Sequence, residues 1–127
     1  MNEERFKHYT LGHAKLDQDH WETAQILSKL VQELKAKCYP VARGHLEKLV
    51  CQTILHDALE QTLMMEHNYP YMEWHLTQNE KIVKESSDLL KKIDRQEVSH
   101  YEIHNFEDAL LAHIDWDDRQ LVEFLLK

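Results

Sequence analysis

The chain has 127 residues, a formal net charge of −8, 43% hydrophobic residues and 30% charged residues. Its 2 glycines and 2 prolines are too few for the many turns of a sheet protein, which argues against an all-β fold. The acidic charge, with no run of Lys or Arg to offset it, disfavours nucleic-acid binding.

Further expectations concern size and location. At this length we expect one domain that comprises residues 1–127. No apolar run approaches the roughly 20 residues of a membrane span, and the first ten residues lack the apolar stretch of a signal peptide. We therefore expect a cytoplasmic protein that does not contact a membrane. Cys38 and Cys51 form no CxxC motif and are expected to be reduced thiols.

Apolar residues recur at spacings of three and four in four segments, which predicts four helices. The first spans about residues 17–37, with Asp17 as its N-cap. The second spans about residues 41–66, and Pro40 suits its first turn. The third spans about residues 70–93 and follows the turn in "HNYP".

The fourth helix opens at "SHYE", where Ser99 and Glu102 have the spacing of a capping box. The tail "RQLVEFLLK" has a helical pattern, either as a continuation of that helix or as a short fifth piece. Four helices with short loops predict an all-α fold, an antiparallel up-down-up-down four-helix bundle. An N-terminal arm and a short C-terminal helical tail would complete it.

Polar residues interrupt the apolar face of every predicted helix. They are His20, His56, Glu60, His75, Asn79 and His113. A buried polar group without a partner costs about 1–3 kcal/mol, and a whole domain is stable by only about 5–15 kcal/mol. In an antiparallel bundle all of these residues lie toward one end, so we expect them to converge on a single site. Imidazoles with carboxylates favour Fe, Mn or Zn, and the Glu-x-x-His pairs of ferritin-like bundles are missing.

Three segments resemble the hemerythrin family, whose single-domain bacterial members are the most similar in kind. "LGHAKLDQDH" is similar to the family pattern G…(I/L)D-x-(Q)-H, and "HIDWDD" is similar to H-(I)-x-x-x-D. "HDALEQTLMMEHNYPYMEWH" is similar to H-x-x-x-E-x-x-x-M…YP…H, with the same spacing. Together the segments extend over about residues 11–120.

The resemblance implies two non-heme irons, bridged by one Glu, one Asp and a solvent-derived oxo or hydroxo group. The positions that match the family's iron ligands are His20, His56, Glu60, His75, His113 and Asp118. By this resemblance His20 and His56 would bind the iron that keeps an open position for O2. His75, the residue at position 79 and His113 would bind the other iron, and Glu60 and Asp118 would be the bridges.

The chain departs from the family pattern at position 79, where Asn79 replaces a ligand histidine. An amide is a weaker ligand than imidazole, so Asn79 is expected to be a weak ligand or to hold a water. The bridging aspartate is a second open point. The family spacing selects Asp118, whereas an unbroken α-helix would bring Asp117 to the face of the preceding histidine. The resemblance also places Trp21 and Met64 in the lining of the pocket.

The function implied by the resemblance is O2 binding by a non-heme di-iron protein, for carriage, storage or sensing. The expected ligand is O2 or another small diatomic molecule or peroxide, and other divalent metals are alternatives to iron. This would be a binding protein rather than an enzyme, although the altered position 79 could allow autoxidation or weak oxidase or peroxidase-like activity. Two alternatives are a metal- or redox-dependent sensor that acts through a protein partner, and a degenerate bundle without a complete di-iron site.

Overall fold

The chain folds into helices. The computed structural model describes residues 3–127, and this range contains no β-strand. The helices are α1 (Glu3–Lys7), α2 (Ala14–Lys35), α3 (Tyr39–Glu66), α4 (Met72–Ile93), α5 (His100–His113) and α6 (Arg119–Leu125). A π-helical segment, Ile114–Asp118, joins α5 to α6. The prediction of an all-α protein is confirmed for the described residues.

The four long helices pack around a shared apolar core. Helix α2 contacts α3 and α5, and α4 contacts the same two helices, so each of the four has two neighbours. The short helix α1 packs on α2. Fully buried core residues include Leu27, Leu30, Leu46, Leu49, Ile103 and Ile114. No helix between residues 3 and 127 is long and apolar enough to cross a lipid bilayer.

The start of α2 differs from the prediction. The N-cap is His13, whose Nδ1 accepts a hydrogen bond from the Leu16 N–H at 3.3 Å. The carboxylate of Asp17 lies in the first turn, where it accepts hydrogen bonds from the N–H groups of Leu11 and Gly12 at 2.8 and 3.0 Å. Asp17 is therefore not the N-cap. The sequence pattern gave the wrong N-cap because an imidazole nitrogen can accept a hydrogen bond from a free N–H group of the first turn, as an Asp or Ser oxygen does.

The other helix starts agree more closely with expectation. Pro40 lies in the first turn of α3, which begins at Tyr39. At the start of α5 the Glu102 carboxylate accepts a hydrogen bond from the Ser99 N–H at 3.3 Å, as the capping-box spacing predicted. Helix α4 begins at Met72, two residues later than predicted, because the preceding residues form a turn.

The C-terminal tail continues α5 through the π-helical segment. The Arg119 N–H donates to the Ile114 carbonyl, five residues earlier, instead of four as in an α-helix. One extra residue is therefore accommodated in this turn. In consequence the residue five positions after His113, which is Asp118, returns to the same side of the helix. The tail is thus a continuation of the fourth long helix.

Candidate metal centre

The polar residues that interrupt the predicted helix faces meet between the packed helices. They are His20 from α2, His56 and Glu60 from α3, His75 and Asn79 from α4, and His113 from α5, and Asp118 from the π-helical segment joins them. All are buried except His56, whose side chain is 13% exposed. Their potential ligand atoms form two groups, each with all its atoms within 4.8 Å of one another. The groups are His20, His56 and Asp118, and Glu60, His75, His113 and Asp118.

Asp118 belongs to both groups because its two oxygens face opposite ways. Its Oδ2 lies 3.0 Å from the Nε2 of His20 and 3.9 Å from the Nε2 of His56. Its Oδ1 lies 3.1 Å from the Nε2 of His75 and 3.3 Å from the Nε2 of His113. One carboxylate thus presents one oxygen to each pair of histidines.

Glu60 is the second carboxylate at the centre. Its Oε1 lies 3.4 Å from the Nε2 of His56 and 3.2 Å from the Nε2 of His75, so it also contacts histidines of both groups. The same oxygen accepts a hydrogen bond from the Nδ2 of Asn79 at 3.0 Å. The Oδ1 of Asn79 in turn accepts from the Nε2 of His113 at 2.7 Å. Asn79 therefore links His113 to Glu60.

Asp117, the alternative to Asp118, lies on the outer side of His113. Its Oδ2 accepts a hydrogen bond from the Nδ1 of His113 at 2.8 Å, and its Oδ1 accepts from the indole N–H of Trp74 at 3.3 Å. The π-helical turn explains the arrangement. Because the turn is wider, the fifth residue after His113, and not the fourth, points toward the cluster. Neither group of potential ligand atoms found among the described residues includes Asp117.

A similar outer contact exists on the other half of the cluster. The Nδ1 of His56 lies 3.1 Å from the Oδ2 of Asp19, and the Oδ1 of Asp19 accepts from the Nζ of Lys15 at 2.7 Å. Asp19 and Trp74 were missed at the sequence level. The spacing of Lys15 and Asp19, one helical turn apart, was a weak signal for an ion pair. The contact to His56 joins two helices, so no spacing within one helix could reveal it.

The carboxylates stabilise the charged form of three histidines of the cluster, His56, His75 and His113. Burial opposes charge on an imidazole, but the adjacent carboxylates of Asp118 and Glu60 raise the pKa of His75 to about 9. Burial likewise opposes charge on His113, and the neighbouring Asp118 carboxylate raises its pKa to about 10. Against the same burial, Glu60 and Asp118 raise the pKa of His56 well above its ordinary value.

The carboxyl groups respond in the reciprocal way. Burial favours the neutral form of Asp118, yet the charge of His113 and the hydrogen bond from His20 hold the pKa of Asp118 well below the usual value. Burial and Asp118 oppose the charge of Glu60, but His56 lowers the pKa of Glu60 overall. Asp57, next to this cluster, behaves differently, because burial and the charge of Glu60 raise its pKa to about 7.

Several buried donor and acceptor atoms of the cluster remain unsatisfied. Within the described part of the chain, the cluster atoms that lack a hydrogen-bond partner are His20 Nδ1, His56 Nε2, Glu60 Oε2 and Asp118 Oδ1. Such atoms are rare in native interiors and call for an unseen partner. A cavity of about 20 Å³, lined in part by His20, His56, Asn79, His113 and Asp118, lies among them.

The donor set fits metal ions. Ligand atoms that bind one first-row metal at about 2.1 Å would lie about 3 to 4 Å from one another. The separations of 3.0 to 3.9 Å around Asp118 fall in that range. Imidazole and carboxylate ligands suit Fe, Mn or Zn better than an ion that prefers thiolate ligands. Both cysteines are exposed and do not belong to the buried cluster. The buried residues of the cluster could therefore hold a metal ion.

The two predicted lining residues lie in different parts of the structure. Trp21 lines a separate cavity of about 220 Å³, together with His20, Phe6 and Tyr9. Met64 is 1% exposed and packs in an apolar cluster with Tyr69. The Tyr69 ring meets the His75 ring edge-on, with 6.3 Å between centroids. Both residues are thus close to a cluster histidine or its neighbour, and their role in lining a ligand pocket stays a prediction.

The described chain is all-helical and contains a buried group of histidines and carboxylates that could bind metal. Comparisons of the chain with protein-family models, with curated proteins and with solved structures found no match.

Proposed function

We propose that this protein is a hemerythrin-like non-heme di-iron protein that binds O2, for carriage, storage or sensing. The observation that carries the proposal is the carboxylate of Asp118, which directs one oxygen toward His20 and His56 and the other toward His75 and His113. A carboxylate shared in this way suits two adjacent cations. The resemblance of three sequence segments to the hemerythrin family adds the identity of the metal and of its ligand.

The proposal includes the direction of the helices. In an antiparallel up-down-up-down bundle, residues early in one helix meet residues late in the next. His20 is early in α2, His56 is late in α3, His75 is early in α4 and His113 ends α5. Their meeting in one cluster, and the ring of contacts among the four long helices, support that arrangement.

In the proposed site each iron position has its own histidines. His20 and His56 would hold one iron and His75 and His113 the other, and the two buried carboxylates, which contact histidines of both pairs, would be shared between them. When bound, iron would supply the reversible binding of O2, a reaction that the side chains themselves cannot perform. The chain's own part is to hold the imidazoles in place and to exclude water, which the burial of the cluster residues favours.

A second candidate is a bundle that fills only the position of His20 and His56. The observation that favours it is the hydrogen-bonded link from His113 through Asn79 to Glu60, which satisfies polar atoms of the other half without a metal. An amide is a weaker ligand than imidazole for this kind of metal. The number of irons bound per chain separates the two candidates.

The test is anaerobic loading of the whole chain with Fe(II), followed by metal analysis and absorption spectra with and without O2. Di-iron binding predicts about two irons per chain and an absorption change that reverses when O2 is removed. Replacing the shared carboxylate, Asp118→Asn, should reduce the content to about one iron or less and abolish the O2-dependent change. Asp115→Asn is the matched control, because Asp115 is exposed and pairs with Arg119. A parent protein that takes up no iron would contradict the proposal, and about one iron would support the second candidate.

A further inference from the structure

The outer side of His113 carries a contact that the proposed iron site does not use. Asp117 is 8% exposed, and both of its oxygens are engaged, one by the Nδ1 of His113 and the other by the indole N–H of Trp74. Trp74 is itself 58% exposed. A line of hydrogen bonds thus runs from the protein surface to a histidine of the cluster.

This contact fixes which nitrogen of His113 faces the cluster. With the Nδ1 proton donated outward to Asp117 at 2.8 Å, the Nε2 atom is the one directed inward, 3.3 Å from the Oδ1 of Asp118. A carboxylate hydrogen-bonded to the far nitrogen of a metal-binding histidine fixes its tautomer and ring orientation, and it raises the basicity of the ligand nitrogen. Asp117 is positioned to do this for His113.

The π-helical segment makes both contacts available from adjacent residues. In an unbroken α-helix, Asp117 would lie on the inward side of His113, and Asp118 would lie about 100° further around the helix axis than Asp117. The wider turn leaves Asp117 within reach of the outer nitrogen while Asp118 enters the cluster. Two consecutive aspartates therefore serve opposite sides of one imidazole ring.

We propose that Asp117, held by the indole of Trp74, is a positioning residue that orients His113 and thereby sets the metal affinity of the position formed with His75. The consequence for metal affinity rests on the proposed function, since it takes His113 to be a ligand. The orientation of His113 does not depend on that function. Asp117 itself does not bind the metal.

The other half of the cluster offers an internal comparison. Asp19 contacts the Nδ1 of His56 at 3.1 Å and is held by Lys15, so it occupies the equivalent outer place. A change at Asp117 should therefore weaken one metal position and leave the position of His20 and His56 intact. General destabilisation of the fold would weaken both.

The first experiment measures the His113 imidazole in the metal-free chain. Nitrogen-15 NMR of the parent should show an Nδ1 proton that exchanges slowly with water, because it is hydrogen-bonded to a carboxylate. Asp117→Ala should lose this signal, and Asp117→Asn, which keeps an acceptor oxygen, should partly retain it. Asp115→Ala is the control that removes an acidic side chain from the same segment and should leave the signal unchanged. An unchanged signal in a folded Asp117→Ala variant would overturn the proposal.

The second experiment measures the binding of Co(II) to the same variants by titration. We expect affinity at one of two positions to fall about 10–100-fold in Asp117→Ala and less in Asp117→Asn, with the other position unchanged. Trp74→Phe should produce a smaller loss of the same kind, with Trp116→Phe, at a more exposed residue, as its control. Equal losses at both positions, or equal losses in the Asp115 control, would overturn the proposal.

The two experiments separate the inference from the proposed function. If the parent binds no pair of metals, the di-iron function fails, and the imidazole signal of His113 still decides whether Asp117 orients it. If the parent binds two metals and the signal and affinities are the same in Asp117→Ala, the di-iron function stands and the positioning role is wrong. Circular dichroism and the thermal midpoint of each metal-free variant establish that it is folded.

Discussion

At the scale of single residues, Asn79 provides hydrogen-bond partners for two other residues of the cluster, Glu60 and His113. Its amide is 2% exposed, donates to Glu60 and accepts from His113. An imidazole at this position has only one nitrogen directed at the cluster, so it cannot provide both contacts at once. It would, however, be the stronger ligand for a transition metal. We therefore expect Asn79 to favour a well-bonded metal-free state at the expense of metal affinity.

We predict that Asn79→His has opposite effects in the two states. The metal-free protein should lose about 1–3 kcal/mol of stability, because Glu60 or His113 loses its buried partner. The iron content should rise, and the half-life of the O2-dependent absorption should lengthen, because a third imidazole joins the second position. Denaturant unfolding, metal analysis and timed absorption spectra provide the measurements.

The control for this prediction is Asn105→His, which makes the same replacement at an exposed position of α5. It should change neither the stability of the metal-free protein nor the iron content. If Asn79→His matches its parent in both iron content and the half-life of the absorption, Asn79 does not weaken the second position.

The inner residues of the cluster could be predicted from the sequence, whereas the outer ones could not. Histidines and acids at core-facing positions are costly, so their placement on apolar helix faces was a strong signal. The choice between Asp117 and Asp118 was open because it depends on the π-helical turn, which periodicity does not reveal. Asp19 and Trp74 act across helix pairs, and a single sequence carries no spacing for such contacts.

At the scale of elements, the connection from α1 to α2 is held by backbone contacts to one side chain. The N–H groups of Leu11 and Gly12 both donate to Asp17 in the first turn of α2. Gly12 has φ +98°, in the region that favours glycine. The connection leads into α2, the helix that carries His20, so its geometry affects how α2 begins.

We predict opposite effects for alanine at the two glycines of the chain. Gly12→Ala should destabilise the protein by about 1 kcal/mol or more, because alanine resists the positive φ. An added Cβ would lie 3.6 Å from Leu126 Cδ1, an ordinary contact, so the cost comes from the backbone. Gly44→Ala should stabilise by about 0.5–1 kcal/mol, because Gly44 is inside α3 and a Cβ there meets none of the described atoms within 4 Å.

Urea unfolding of the two glycine variants and the parent provides the measurement, with metal removed from all three. A shift of the same sign in both variants would contradict the prediction. The helices themselves were predictable from apolar periodicity, but this connection was not. The imidazole cap at His13 and the role of Asp17 depend on contacts within an irregular turn.

At the scale of the whole molecule, stability without metal depends on charged histidines in the interior. His75 and His113 have pKa values of about 9 and about 10, above the ordinary 6.5. The folded chain therefore holds these protons more tightly than the unfolded chain does. Their contribution to stability is complete below about pH 6.5 and is lost as the pH rises through 9 to 10.

We predict that the free energy of unfolding of the metal-free protein falls between about pH 6.5 and 10. Urea unfolding of chelator-treated protein at each pH unit is the measurement. His75→Gln should show a shallower fall over that range, because one of the titrating groups is gone. His67→Gln, at an exposed position, should keep the slope of the parent. A parent protein with constant stability from pH 7 to 10 would contradict the prediction.

The number of acids around the cluster has a consequence for electroneutrality. Asp19, Glu60, Asp117 and Asp118 contact the clustered histidines and carry four negative charges when ionised, the same magnitude as two divalent cations. Without metal, protons on the imidazoles offset part of that charge, and a ligand imidazole must give up its proton to bind. Metal uptake would then exchange cations for protons at nearly constant interior charge. Lower pH would favour the protonated, metal-free form, and a higher metal concentration would favour the metal-bound form.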